Sequence, residues 1–283
     1  MHYAVTGATG FIGRNLVEYL LGTPHEITLV VRDKKKIEEY GWNGLRGSVV
    51  LDLNNIETSD LWRYMGKPDC VFHLAWEGLP NYGSPFHLTG NLPKQISFFE
   101  KLVNSGCPKI VVTGTCFEYG GKYGPLPEEI DCNPSNAYGI AKDSLRRIIF
   151  ELSKATKATI IWARLFYLYG KYQRADSLLG QLSQAINNKE EVFRMTAGEQ
   201  LRDYLDVKDV VRNLYLLSLK VKQSEVINVA SGKPISVRRL VENICAEAKA
   251  KIKLELGYYP YSKFEPMAFW ADTTKLNNIL ASD

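Results

Sequence analysis

A chain of 283 residues, 45% hydrophobic and 23% charged, is long enough for one large α/β unit or two joined lobes, and too apolar for disorder. Its net charge of +4 is small and scattered, which excludes a nucleic-acid surface, and no apolar run approaches a membrane span. Five cysteines lack C-x-x-C pairs and four histidines are dispersed, so no metal site is expected, and the odd cysteine count with an N-terminus running straight into a strand reads as reduced thiols in a cytoplasm.

Tyr3-Ala4-Val5 reads as a strand and 15–21 as a helix, with T-G-A-T-G-F-I-G between them at 6–13. In such a turn one glycine lets the chain reverse, another lets backbone approach a pyrophosphate, and a third lets helix pack on strand. The helix start adds free N–H groups and a positive dipole end. Gly7, Thr9, Gly10, Phe11, Ile12 and Gly13 are therefore the candidate dinucleotide cradle, although the first glycine gap is one residue longer than in G-x-G-x-x-G.

A second strand, 26–31, completes β-α-β and ends Val31-Arg32-Asp33. A carboxylate at this place bonds the adenosine ribose, whereas an arginine accepts a 2′-phosphate. Arg32 comes first and favours NADP; NAD is the alternative, because Asp33 follows unless it caps the next helix, 34–39. After a third strand, 48–51, Asp52-Leu53 either meets the adenine or starts a turn. A fourth strand, 69–74, leads into Leu74-Ala75, where a small side chain admits cofactor contacts. The helix over 91–105 carries Leu92, Ile96, Phe99 and Val103 on one stripe. A fifth strand, 109–113, delivers Thr115 to a carboxyl end, where open parallel sheets bind ligands.

A glycine- and proline-rich loop, 121–133, precedes a helix over 134–155 with Leu145, Ile149 and Leu152 buried, then a sixth strand, 157–165. Beyond it come a helix at 178–186, a strand at 191–195, a helix at 206–220, a strand at 226–229 and a helix at 237–248. The C-terminal stretch, with Tyr258, Tyr259, Tyr261, Phe264, Phe269 and Trp270, reads as loop. The alternation predicts an α/β doubly wound parallel sheet. Residues 1–166, with 204–229 returning, form the dinucleotide lobe, and 167–203 with 230–283 a smaller substrate lobe woven onto it.

Tyr138 and Lys142, four apart, share one helix face. With Thr115 they make an acid–base set for a ketone: the tyrosine supplies a proton, the lysine stabilises its phenolate, and the threonine fixes the oxygen.

The chain resembles extended short-chain dehydrogenases/reductases of the NAD-dependent epimerase/dehydratase family. The resemblance rests on the glycine turn, D-L at 52–53, H-L-A at 73–75, Asn91, T-C-F-E-Y-G at 115–120, Y-G-I-A-K at 138–142, R-L-F-Y-L-Y-G at 164–170, Q-L-R-D-Y-L-D-V-K-D-V at 200–210 and N-V-A-S-G at 228–232. It implies a Rossmann-type domain, a nicotinamide cofactor, a nucleoside-diphosphate sugar and a homodimer built on 91–105 and 134–155. It also implies Thr115 and Tyr138 at the reacting oxygen, with Lys142 on the nicotinamide ribose.

The departures are informative. Dehydratases of this family place Asp-Glu after the threonine; this chain has Cys116-Phe117, so 4,6-dehydration is not expected. Glu118 is offset and supports the loop or takes some catalytic part. Tyr167 replaces an asparagine that contacts sugar nucleotide, and Arg202 matches a phosphate-binding arginine unless Asp203 or Asp206 holds it. The C-terminal lobe is shorter than in typical epimerases. The reading is NADPH-dependent reduction of the keto group, at C4, of a nucleotide-linked keto-deoxysugar, with Thr115, Cys116, Phe117, Tyr167 and Arg202 against the sugar nucleotide. A 4-epimerase with tightly bound NAD is the alternative.

Overall fold

The computed structural model describes residues 1–261 and 265–282; Phe264 of the aromatic stretch lies outside the described residues. In chain order the first half holds β1 (His2–Thr6), α1 (Phe11–Leu21), β2 (Glu26–Val31), α2 (Lys35–Tyr40), β3 (Gly47–Val50), α3 (Leu61–Tyr64), β4 (Cys70–His73), α4 (Leu92–Asn104), β5 (Lys109–Thr115) and β6 (Gly124–Leu126). The second half holds α5 (Ala137–Lys154), β7 (Thr159–Leu165), β8 (Tyr167–Tyr169), α6 (Leu178–Asn187), β9 (Val192–Arg194), β10 (Leu201–Asp206), α7 (Val207–Lys220), β11 (Glu225–Val229), β12 (Pro234–Ser236), α8 (Val237–Glu247), β13 (Lys253–Glu255), β14 (Phe269–Ala271) and α9 (Thr274–Ala281).

Seven strands pair in parallel in the order β11-β7-β5-β4-β1-β2-β3. Their side chains alternate between two cores, as a period of two requires. Tyr3 and Val5 of β1, Val111 of β5, and Ile161 and Ala163 of β7 join α1, α7 and α9 on one face. Ala4, Ile110, Val112, Ile160 and Trp162 join α4 and α5 on the other. With both faces covered, the strands read as continuous apolar runs, and the fold is Rossmann-type α/β. The chain reverses direction across the sheet between β1 and β4, so the crevice beyond those two strand ends is the ligand position the topology provides.

A third cluster, around Leu182, Phe193, Leu240 and Val241, gathers α6, β9 and α8. The three-stranded sheet β12-β10-β8 links it to the large sheet. Several elements lie outside the sequence reading: β6, β8, β10, β12, β13, β14, α3 and α9. The C-terminal stretch is not all loop. Leu276 of α9 is buried in the core of the large sheet, although the sequence reading assigns 230–283 to the smaller lobe.

Candidate active site

The crevice beyond β1 and β4 is a cavity of about 420 Å³, lined among others by Gly7, Thr9, Gly10, Arg32, Asp52, Leu53, Leu74 and Ala75. Gly7 has φ +69°, and a Cβ there would lie 2.7 Å from the Ala75 nitrogen. A Cβ on Gly13 would lie 2.1 Å from the Gly7 carbonyl oxygen, so this glycine is what lets α1 close on the turn. Gly10 precedes α1 with no side-chain cap, and Phe11 and Ile12, whose side chains pack into the core, begin the helix. Their N–H groups are the unpaired donors of a helix start. The residues therefore fit a dinucleotide: a side-chain-free turn, a helix N-terminus and a deep crevice at the topological switch. Gly7→Ala is expected to abolish measurable nicotinamide binding in a fluorescence titration, since any relief of the clash moves Ala75 or the turn.

Polar side chains buried behind the crevice hold its walls. His73 Nδ1 lies 3.0 Å from Thr6 Oγ1, and its Nε2 lies 2.6 Å from Gln95 Oε1. Gln95 donates onward to the Ala75 carbonyl at 3.2 Å, and Asn91 donates to the Glu77 carbonyl at 2.7 Å. The Gln95 oxygen can only accept, so Nε2 carries the His73 proton and Nδ1 accepts from the threonine. Burial, helped by the Lys142 charge, pushes the His73 pKa down to about 3, which keeps this relay neutral.

β5 ends at Thr115, and a single 3₁₀ turn follows, Cys116–Tyr119. Thr115 Oγ1 accepts from the Phe117 N–H at 3.3 Å, and Glu118 reaches back to the Thr115 N–H at 2.8 Å. This capping box leaves the threonine hydroxyl proton unused by the turn. Asn136 caps α5 through the Gly139 N–H at 2.8 Å, and Tyr138 follows in the first turn. The phenol is boxed by Trp76, Tyr82, His87 and Phe117, with ring centroids 5.4–6.3 Å from its own. Burial pushes its pKa well up, while the adjacent Thr115 hydroxyl acts the other way.

Lys142, 3% exposed, donates from Nζ to the Thr113 carbonyl at 2.9 Å. Its Nζ lies 4.1 Å from the Trp76 ring centre and 6.0 Å from that of Tyr138. Thr115, Tyr138 and Lys142 thus converge beyond the end of β5, and Trp76 joins them to the crevice wall. Burial drives the Lys142 pKa from 10.5 down to about 7, against a smaller opposing effect of Glu118. Between those values the unfolded chain holds a proton that the folded chain does not, so stability rises with pH. The unfolding midpoint is expected to climb from about pH 7 to about pH 8, below the range where the buried thiols, whose pKa values burial raises, oppose it, and Lys142→Met is expected to flatten the climb in a thermal-melt series.

Toward the smaller lobe, Tyr167 Oη donates to Glu265 Oε2 at 2.6 Å and Arg202 Nη2 to the same oxygen at 2.9 Å. Charges here also bear on Cys116, whose thiol is pushed up chiefly by burial and then by Glu265.

A family model for the NAD dependent epimerase/dehydratase family matches residues 3–230. The chain belongs to that family. It is an enzyme of the NAD(P)-dependent extended short-chain dehydrogenase/reductase type. It is 32% identical over 279 residues to a dTDP-6-deoxy-L-talose 4-dehydrogenase (NAD(+)) of Aggregatibacter actinomycetemcomitans, covering 95% of this chain and 99% of that protein. A GDP-6-deoxy-D-talose 4-dehydrogenase of the same organism is 25% identical, over 100% of this chain and 92% of its own length. The solved structure of MoeE5 in complex with UDP-glucuronic acid and NAD matches with TM-score 0.82 and 26% identity, covering 99% of this chain and 92% of that one.

Within this epimerase/dehydratase chain, Glu118 takes the supporting part. It is fully buried, accepting from Trp162 Nε1 at 2.9 Å and Arg164 Nε at 2.7 Å. Glu118, Cys132 and Asp143 place ligand atoms within 4.8 Å of one another, but Arg164 and Arg146 already supply the cations there. Arg202 is held by Glu265, not by its neighbours: Asp203 accepts from the Ser231 and Gly232 N–H groups, and Asp206 caps α7. Asp33 caps the first turn of α2 through the Lys35 N–H at 2.9 Å, and Asp52 accepts from the Asn54 N–H at 2.9 Å. Arg32 pairs with Glu77. All five cysteines are free thiols. Among the described residues, no helix is long and apolar enough to cross a membrane.

Trp76, Tyr82, His87, Gln95 and Glu265 pack or bond against the candidate site, and the sequence reading did not single them out. Gln95 had a usable signal, four residues after Asn91 on the same helix face. Glu265 had none: it lies 63 residues from Arg202, and only the fold brings them together.

Proposed function

We propose that the protein reduces the keto group, at C4, of a nucleotide-linked keto-deoxysugar, with NADPH as donor. The observation that carries this reading is the Phe117 ring packed against Tyr138, where a dehydratase would need a carboxylate. With no carboxylate at that place, and with both His87 ring nitrogens engaged by Trp76 and the Asn81 carbonyl, the chemistry left is proton transfer at one oxygen coupled to hydride transfer.

When bound, the reduced nicotinamide supplies the hydride; Gly7, Thr9, Gly10, the N–H groups of Phe11 and Ile12, and the crevice wall from Leu74 to Ala75 would hold the dinucleotide. Tyr138 donates its proton to the keto oxygen, and burial keeps the phenol in the acid form that donation requires. Thr115 steadies that oxygen through its free hydroxyl proton. Lys142 compensates the phenolate left behind. Cys116, Phe117 and Tyr82 give the sugar an apolar wall suited to a 6-methyl group. Both talose-related proteins carry a 6-deoxysugar in their names, which supports this choice. The smaller lobe, 167–203 and 230–283, takes the nucleotide, with Tyr167 and Arg202 near the diphosphate.

Arg32 and Lys36 at the crevice mouth support the 2′-phosphate of NADP. The second reading is a 4-epimerase with tightly held NAD, favoured by the pairing of Arg32 with Glu77 and by the NAD in the MoeE5 complex. Mixing the protein with NADPH and nucleotide-4-keto-6-deoxysugars, and following nicotinamide absorbance, tests the first; no oxidation with any of them overturns it. NAD that co-purifies, with sugar interconversion in its absence from the buffer, would establish the second. A homodimer through α4 and α5 goes with either reading; Ile140, 39% exposed, lies on the outer face of α5, and light scattering of the purified protein tests it.

A further inference from the structure

We propose that Glu77 sets the balance between NADP and NAD by competing with the 2′-phosphate for Arg32. This rests on the reading that Arg32 faces the adenosine ribose. β1 lies between β2 and β4 in the sheet. Arg32 follows β2 and Glu77 follows β4, so their ion pair spans the end of β1 above the glycine turn, and both line the same cavity as Gly7 and Gly10.

Glu77 is pinned and Arg32 is not. The second Glu77 oxygen lies 3.6 Å from Lys94 Nζ on α4, and the Glu77 carbonyl accepts from Asn91. The Arg32 side chain is 67% exposed and has room to turn. Asp33 and Asp52, the other carboxylates lining the cavity, accept from the Lys35 and Asn54 N–H groups, whereas Glu77 holds the ion pair with Arg32. The neutral ribose hydroxyls of NAD leave the Arg32–Glu77 pair intact. The doubly charged 2′-phosphate of NADP must draw Arg32 away and then lie close to the Glu77 carboxylate. One carboxylate therefore holds back NADP and leaves NAD untouched.

Titrating the purified protein with NADPH and with NADH, by nicotinamide fluorescence at low salt, tests this. Glu77→Gln keeps a side chain of the same shape and removes the charge. It is expected to tighten NADPH about five- to tenfold, the effect of one unit charge near contact, while NADH changes by less than about twofold. The preference should shrink in high salt. Arg32→Ala should weaken NADPH more than NADH. An unchanged NADPH/NADH ratio in Glu77→Gln overturns the inference. If Arg32→Ala still weakens NADPH selectively, the reading of Arg32 survives that failure; if Arg32→Ala leaves the ratio unchanged too, that reading falls as well.

Discussion

Tyr138→Phe is expected to lower kcat by about 10²- to 10⁴-fold while nicotinamide binding stays near the wild-type value. The ring fits its box of Trp76, Tyr82, His87 and Phe117 without the hydroxyl, so packing is retained. Only the proton donor is lost, and water in a closed apolar pocket is a poor substitute. At about 1.4 kcal/mol per tenfold, the loss corresponds to roughly 3–5 kcal/mol of barrier. Steady-state kinetics beside a binding titration checks it. A variant that keeps full turnover would mean that another group protonates the oxygen.

Glu118→Gln is expected to fail in a different way, through stability. Glu118 is 0% exposed and its partner Arg164 1%. Removing the carboxylate charge leaves a guanidinium in the interior without its ion-pair partner, its other hydrogen bonds going to a carbonyl of Glu128 and the Cys132 thiol. Breaking one side of a buried pair typically costs about 3–5 kcal/mol. For a chain of this size that lowers the unfolding midpoint by about 10 °C. The Thr115 N–H loses its charged acceptor as well, so the hydroxyl beside Tyr138 is less well placed. A thermal melt and kcat measured together separate the roles. A large fall in kcat at an unchanged midpoint would make Glu118 an acid–base group instead.

The helix over α4 shows where periodicity misleads. The apolar stripe in the sequence runs through Leu92, Ile96, Phe99 and Val103, yet Leu92 and Ile96 are only partly buried, whereas Gln95, Phe98 and Leu102 are fully buried. A polar residue at the centre of the buried face breaks the pattern. Gln95 is tolerated there because His73 and the Ala75 carbonyl satisfy it. β10 was missed for a related reason. Arg202 and Asp203 are buried in the strand, and their partners, Glu265, Ser231 and Ala271, come from 28 to 68 residues away.

Local chemistry was legible without coordinates. The glycine turn, the alternation of strands and helices, and a tyrosine one turn before a lysine depend on backbone geometry and short spacings, which a chain expresses wherever it folds. They determined the α/β class, and they pointed to the glycine-lined crevice and to Thr115, Tyr138 and Lys142 as the candidate site. The partners of charged groups were decided by the tertiary structure alone. Glu118 found Arg164, Arg202 found Glu265, and Arg32 found Glu77, because a buried or crowded charge takes whichever opposite group the packing brings near. That choice depends on how distant segments meet, which residue spacing along the chain does not encode.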